Sequence, residues 1–225
     1  MAASTQMGQR LVFENAKTLI NQLGYDASHA VLTPSYLRSE VLLSTASASY
    51  HIPVLSNDNI NGTPTVREQR LQLQDLFVVS QIQIVLVSGS STSANAVSYS
   101  YPNRTAFSTG ASSLYSFYNG YMTIQVNNQN VLPKWSLYQH IDIPQTQQNT
   151  NFNAASATSP AQFSLDQYDG SDYGWQVFEP NLVLNGASNI QASFILPAAP
   201  STLDSNTYVA VNWWGVLAQN CTSVK

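Results

Sequence analysis

The acidic side chains of SLDQYDGSDYGWQVFEP are the residues whose spacing comes closest to a catalytic or metal site. Asp166, Asp169 and Asp172 follow one another at three-residue intervals, and Glu179 lies further along. Neighbouring carboxylates can bind Ca²⁺ or act as an acid and base pair. The stretch lacks the D-x-D-x-D-G spacing of a calcium loop, and Asp, Gly, Ser and Tyr are also typical of an exposed turn. We therefore expect a solvated loop, with a metal site as the alternative.

The three histidines and the single cysteine form no catalytic pattern. His29, His51 and His140 are scattered, and none belongs to an H-x-x-x-H or H-E-x-x-H arrangement. We expect each of them at a surface or an interface. Cys221 has no evident base beside it, so we expect a buried or edge thiol and no intrachain disulfide. Because nucleophile-elbow, phosphate-loop and dinucleotide motifs are also missing, the sequence predicts a protein without catalysis, cofactor or metal.

Aromatic residues are the second group that could form a functional surface. The chain has 12 tyrosines, and LYSFYNGY contains Tyr115, Tyr118 and Tyr121. Aromatic side chains on a polar β surface stack on sugars, and they are also enriched in contacts between proteins. The sequence leaves both uses open, and we treat the three tyrosines as candidate interface residues.

The adjacent pair Trp213 and Trp214 raises a question of direction, because neighbouring side chains of a strand leave on opposite faces. Alternation in YVAVNWWGVLAQN groups Trp213 with two valines, which suits a core, and Trp214 with Asn212 on the other face. We predict Trp213 in the core and Trp214 in a contact surface. A bulge at Gly215 would exchange the two faces.

The composition favours a folded protein whose surface is polar and nearly uncharged. Hydrophobic residues make up 44% of the chain and charged residues only 9%, against about 25% charged in a typical soluble domain. Such a surface repels its own copies weakly, which suits close packing of many copies. The basic residues form no cluster, so we expect no strong binding to nucleic acid.

The N-terminal residues do not have the pattern of a secretion signal, in which a basic segment precedes a continuous apolar one. The sequence also has no run of the roughly 18 apolar residues that a membrane-spanning helix needs. We therefore expect no membrane span and a protein that is made and assembled in a cytoplasm.

One segment has the periodicity of a helix, and the rest has the pattern of strands. Residues 9–24 place apolar side chains on one face, and Gly24 predicts the helix end. We expect this helix in an N-terminal arm of residues 1–30, where it caps the sheet or reaches a neighbouring molecule. β-Branched and aromatic runs separated by turn residues then predict strands near 36–45, 49–55, 70–87, 97–101, 114–126, 135–143, 175–184, 189–196 and 207–219.

So many strands with so few helices between them favour an antiparallel arrangement over parallel crossover units. We predict that residues 31–225 form one jelly-roll β-sandwich of about eight strands in two facing sheets. The segment 70–87 is long enough to contain a bulge, and Asn185-Gly186 predicts a turn between two strands.

Five strand segments are distinctive when they are taken in their order along the chain: SEVLLSTASASYHIPVL, REQRLQLQDLFVVSQIQIVLV, YNGYMTIQVNNQNVLPKW, FEPNLVLNGASNIQASFILPAA and VAVNWWGVLAQN. They resemble segments of virion structural proteins of tailless and related bacteriophages, and their order is similar to that in capsid proteins of phages of the Bacteroidetes group. The resemblance implies a jelly-roll capsid subunit of the virion without catalytic residues.

A capsid subunit self-associates, which for this chain implies a trimer or pentamer within a shell and contacts with other virion proteins. The helix could serve as an arm to an adjacent subunit, and Phe13 and Leu19 are its candidate contact residues. The alternative function is a glycan-binding β-sandwich that recognises sugars through tyrosine and tryptophan.

Overall fold

The computed structural model describes residues 2–53, 64–104, 106–143 and 174–219, with the backbone alone for residues 2–11 and 53. Helix α1 is Ala2–Gln22, helix α2 is Ala111–Tyr118, and a short 3-10 helix covers Tyr138–His140. Strands account for most of the regular structure: β1 (Val31–Leu42), β2 (Ser49–Pro53), β3 (Leu76–Ser88), β4 (Val97–Tyr99), β5 (Tyr121–Val126), β6 (Gln129–Ser136), β7 (Trp175–Asn185), β8 (Ile190–Ile195) and β9 (Thr207–Gln219). The predicted mainly β class is confirmed.

The strands form two antiparallel sheets with nested pairing. One sheet has the order β1-β9-β3, with β4 and β7 both paired to β3, and the other has the order β2-β8-β5-β6. The pairs β1 with β9, β2 with β8, β3 with β7 and β5 with β6 lie one inside the next along the chain. Successive pairs alternate between the sheets, which is the connectivity of a long hairpin rolled into a jelly roll. The predicted sandwich of about eight strands is confirmed, and β4 lies within the strand predicted at 97–101.

The main core lies between the two sheets and follows the period of two along each strand. In β9, Val209, Val211 and Trp213 are fully buried, and Met122 and Phe194 of the other sheet belong to the same cluster. Burying one such side chain stabilises a fold by about 1.5–3 kcal/mol, so this pattern decides which face of each strand turns inward. Trp213 therefore lies in the core as predicted.

A bulge in β3 lies opposite Gly215. Val79 pairs with Gly215 and Gln81 with Trp214, which leaves Ser80 as an extra residue. The predicted bulge is therefore present on β3 and not on β9, whose alternation continues without a break. A methyl group on Gly215 would lie 1.9 Å from the carbonyl oxygen of Val78, so only glycine fits beside the bulge.

Helix α1 covers one end of the outer face of the five-stranded sheet. Ala16 and Ile20 are buried in one cluster with Val216 of β9 and Leu76 of β3. The helix is terminated by Gly24, which has a φ of +82°, and the amide of Tyr25 donates to the carbonyl oxygen of Ile20 at 3.2 Å. This is a Schellman end, as glycine after the last apolar residue predicts. Two roles were expected for the helix, and in the structure it caps the chain's own sheet.

Two predicted strands are wrong in part. The first half of 114–126 is helix α2, because Ala111, Leu114, Phe117 and Tyr118 recur at helical spacing and are all buried. The aromatic content of LYSFY indicated a strand, but the contacts of one helical face outweigh that propensity.

The strand expected at 135–143 is instead β6, which begins at Gln129 and is followed by the 3-10 helix. A tight turn precedes it, since Asn127 and Asn128 have φ values of +49° and +64° and join β5 directly to β6. Two central residues with positive φ define the favoured two-residue hairpin, and asparagine tolerates that conformation.

The turn predicted at Asn185-Gly186 is present, but its strands do not form a hairpin. It joins β7 to β8, which lie in different sheets. A methyl group on Gly186 would meet the carbonyl oxygen of Gln72 at 1.8 Å, so glycine lets the crossing chain pass close to this neighbouring segment.

Candidate functional site

Two rows of side chains cross the outer face of the five-stranded sheet beside helix α1. The first row consists of Arg38, Asn212, Gln83 and Trp175, which lie opposite one another on β1, β9, β3 and β7. The second row consists of Tyr36, Trp214, Gln81 and Val177 on the same strands. The bulge at Ser80 gives Gln81 and Gln83 this outward direction, because it shifts the alternation of β3 by one residue.

These rows enclose a groove of about 340 Å³, which we call the outer-face groove; its lining is Tyr36, Arg38, Gln83, Ser98, Trp175, Asn212 and Trp214. Trp175 and Trp214 are half-buried, Tyr36 is 53% exposed, and Gln83 is buried. Three aromatic side chains thus surround a polar floor. Pockets for small ligands begin at about 300 Å³ and combine apolar walls with a few fixed polar groups.

Hydrogen bonds hold the polar side chains of the groove in place. Arg38 Nη1 donates to Asn212 Oδ1 at 3.3 Å, and Asn212 Nδ2 donates to Gln83 Oε1 at 2.8 Å. Arg38 Nη2 donates to Ser98 Oγ at 3.2 Å. The floor is therefore organised before any ligand arrives, which lowers the entropic cost of binding.

A buried carboxylate lies behind Arg38. The side chain of Glu40 has no exposed surface, and it accepts from Arg38 Nε at 2.8 Å and from Arg67 Nη2 at 2.6 Å. Burial alone would raise the pKa of Glu40, but the guanidinium groups of Arg67 and Arg38 outweigh it and hold that pKa below its usual range. Glu40 is therefore ionised, and it fixes the guanidinium of Arg38 at the groove.

The structure places the three histidines at separate positions. His140 is buried, so its predicted surface position is wrong. Its Nε2 accepts from Trp135 Nε1 at 2.8 Å, and its Nδ1 lies 2.9 Å from the carbonyl oxygen of Gly174, to which it donates. Burial lowers the pKa of His140 to about 4, and the bond to Gly174 offsets this only in part. His140 is therefore a neutral structural residue.

The other two histidines are exposed, as predicted. His29 contacts the carboxylate of Asp26. The pKa of Asp26 is lowered to about 2, first by the hydroxyl of Ser28 and then by His29. His51 lies on the outer face of the four-stranded sheet, where its Nδ1 is 2.8 Å from Ser193 Oγ.

The predicted interface residues lie on several surfaces and do not form one patch. Tyr115 is 42% exposed on α2, and Tyr121 is half-buried on the outer face of the four-stranded sheet. Phe13 and Leu19 are half-buried against the chain's own sheet. Trp214 lies on the outer face as predicted, within the groove.

The prediction that Tyr118 is an interface residue is wrong. Its side chain is fully buried in the main core and packs edge to face on Phe117, with ring centroids 5.3 Å apart. It therefore cannot form a contact surface. Burial raises the pKa of its hydroxyl, which has no hydrogen-bond partner within the part of the chain that the structure covers.

The acidic stretch is only partly covered by the structure. Asp166, Asp169, Asp172 and Cys221 lie outside the described residues, so their predicted roles stay predictions. Glu179 is exposed on β7, beside a shallow groove that α1 borders with Leu19. No group of three or more His, Cys, Asp or Glu among residues 2–53, 64–104, 106–143 and 174–219 could hold a metal ion.

The alternation of inward apolar and outward polar or aromatic residues within single strands indicates which side chains line the outer-face groove. In YLRSEVL, Tyr36, Arg38 and Glu40 point away from the apolar side, just as Asn212 and Trp214 do in β9. Each strand alone thus indicates an outward polar or aromatic residue. Which strands are neighbours, and in which register, depends on pairing between residues as distant as Arg38 and Asn212.

Comparisons with protein-family models, curated proteins and solved structures found no match to this chain. Neither of the two helices seen in the described residues is long and apolar enough to cross a membrane. Function must therefore be inferred from the geometry of the chain itself.

Proposed function

We propose that this chain is a capsid protein, a structural subunit that self-assembles into the shell of a bacteriophage virion and performs no catalysis. The observation that carries the proposal is the nested strand order of the two sheets. Jelly rolls of this kind build viral capsids, but they also form lectin and cupin domains, and a fold alone does not determine function. The resemblance of the strand segments to phage virion proteins favours the capsid among these uses.

The outer face of the four-stranded sheet is the surface that we propose for self-association. Its outward side chains are those between the inward Tyr50, Met122 and Phe194 of the same strands: Ser49, His51, Tyr121, Thr123, Gln125, Gln191, Ser193 and Ile195. None of these eight residues of β2, β5 and β8 carries a carboxylate, lysine or arginine, whereas Lys134 of the edge strand β6 lies beside Tyr121. Two copies can therefore meet over β2, β5 and β8 without repulsion between like charges and without burying ions.

Tyr121 links this face to the residues expected at an interface. It lies at one end of β5, opposite Ile195, and Lys134 Nζ lies 5.0 Å from its ring centroid. Tyrosine is enriched in contacts between proteins, so Tyr121 favours this face as a contact surface. We propose that trimers or pentamers form through this face, that they assemble in the host cytoplasm, and that other virion proteins bind the completed shell.

The experiment is to measure the mass of the purified protein by light scattering and to image it by electron microscopy. We expect particles of many tens of subunits. A protein that stays monomeric at every concentration tested would refute the shell proposal.

A single charge on the proposed face tests its location. Thr123→Glu places a carboxylate where β5 faces outward, and burying it against a second copy is costly. We expect the concentration needed for particles to rise by about tenfold or more, with an unchanged melting temperature. The matched control is Ser112→Glu, which adds the same charge at an exposed position of α2. If both variants assemble like the parent protein, this face is not the contact.

A further inference from the structure

We propose that the outer-face groove is a binding site for a neutral oligosaccharide. This goes beyond the shell proposal and does not rest on it, because the groove lies on the five-stranded sheet and the proposed contact lies on the four-stranded one. The alternative function that the sequence left open, recognition of sugars through tyrosine and tryptophan, thereby receives a specific location.

The lining of the groove matches the chemistry of a sugar. A pyranose ring has apolar C–H faces and a rim of hydroxyl groups, so it needs aromatic surface and polar groups side by side. Trp175, Trp214 and Tyr36 provide the aromatic surface on β7, β9 and β1. Asn212 and Ser98 provide groups that both donate and accept, as a hydroxyl does.

Asn212 is the central polar group of the proposed site. An amide has two donor hydrogens and two acceptor lone pairs. Within the row, Asn212 accepts one bond from Arg38 and donates one to Gln83. It therefore keeps the capacity to accept from and donate to a ligand hydroxyl, with its orientation already fixed by two neighbours.

The pairing of Arg38 disfavours an anionic ligand. Its Nε and Nη2 contact Glu40, and its Nη1 and Nη2 also donate to Asn212 and Ser98. A phosphate, sulfate or carboxylate in the groove would compete with an ionised carboxylate that is already buried behind the guanidinium. Neutral hydroxyls accept hydrogen bonds from Arg38 without displacing Glu40.

The shape of the outer face favours a narrow ligand over a second protein. On β9, Val216 is the next outward residue after Trp214, and it lies in the cluster that α1 covers. On the other side of Asn212, Ala210 and Tyr208 are buried with Ala96 of the loop before β4, and Arg67 lies over Tyr208. The groove is thus recessed between two covered ends. Four adjacent strands span about 14 Å, which leaves room for a short oligosaccharide.

The test is a glycan array that carries neutral gluco-, manno- and galacto-oligosaccharides together with sialylated and sulfated counterparts, followed by titration with each neutral compound that binds. We expect binding to neutral compounds. We expect Trp214→Ala and Tyr36→Ala each to weaken it by at least about tenfold, because a stacked aromatic ring is lost. The control Tyr115→Ala removes an exposed aromatic side chain outside the groove and should bind as the parent protein does.

Tyr36 keeps the test independent of folding, because its side chain is 53% exposed and its loss leaves the core intact. An array without signal at high protein concentration would overturn the proposal, as would binding to the acidic compounds alone. Loss of particle formation in Trp214→Ala and Tyr36→Ala with unchanged sugar binding would show that the groove is a contact between subunits. Particle mass is measured on the same samples, so failure of this site and failure of the shell proposal are distinguishable.

Discussion

Adjacent residues of one strand lie on opposite faces of the five-stranded sheet, and the two tryptophans of β9 differ accordingly in burial. Trp213 is fully buried, whereas Trp214 keeps part of its surface in the groove. We expect Trp213→Ala to lower the free energy of unfolding by about 3–5 kcal/mol, because it leaves a large cavity. We expect Trp214→Ala to lower it by about 1 kcal/mol. Urea denaturation measures both values.

Trp213→Phe is the control for that comparison. It keeps most of the buried ring and removes the indole Nε1, which has no hydrogen-bond partner in the described part of the protein. It should therefore cost clearly less than Trp213→Ala. Equal losses in Trp213→Ala and Trp214→Ala would contradict the opposite placement of the two rings.

His140 makes stability depend on pH through a single buried ring. Its pKa is about 4 in the folded protein, against about 6.5 in an unfolded chain. Below pH 6.5 the unfolded chain takes up a proton that the folded protein does not bind. The free energy of unfolding is therefore highest above pH 6.5, falls as the pH drops towards 4, and loses about 3 kcal/mol in total over that window.

Urea denaturation at several pH values between 7 and 4 measures this slope, and His140→Gln should flatten it. The ionised Glu40 does not obscure the slope between pH 7 and 5, because its pKa is lowered in the folded protein and its contribution is lost only as the pH falls below its ordinary value of 4.5. The same slope in the parent protein and in His140→Gln would show that other groups cause the loss.

Whole elements were predictable from the sequence wherever one face of a strand or helix is buried. The strands β1, β3, β7, β8 and β9 have buried apolar residues on at least one side, and their predicted ranges overlap the observed ones. The two elements whose prediction was wrong, β6 and α2, lack such a clear pattern. Strand β6 is exposed along most of its length, so it shows no alternation, and the helical spacing of α2 was hidden by its aromatic residues.

The outer-face groove could not be predicted as a site, although its residues could be assigned to outward positions. Its polar row depends on the register between Arg38, Asn212 and Gln83, and on the extra residue Ser80 that turns Gln83 outward. Pairing across this distance in the sequence follows from the arrangement of all the strands together. A pattern within any one segment does not contain it.

At the scale of the whole molecule, nested pairing joins the first strand, β1, to the last, β9. Val31 pairs with Gln219, and the innermost pair of strands is closed by the turn at Asn127. Long-range pairing of this kind raises the contact order, so the jelly roll should fold slowly compared with helical proteins of similar size. The position of each strand in this pairing also determines how strongly its backbone amides are protected from hydrogen exchange in the folded sandwich.

Hydrogen exchange should reveal that order of protection in the unassembled subunit. Strand β9 is paired on both sides, with β1 and β3, whereas β6 pairs with β5 and has two irregularities in its register. Exchange in β9 therefore requires opening of the five-stranded sheet, but exchange in β6 requires only fraying of a hairpin. We expect peptides from 207–219 to exchange about 100-fold or more slowly than those from 129–136 in mass spectrometry.

Peptides from 76–88 serve as the control, because β3 is also paired on both sides and should match β9. Exchange of β6 as slow as that of β9 would show that the two sheets open together, as one cooperative unit.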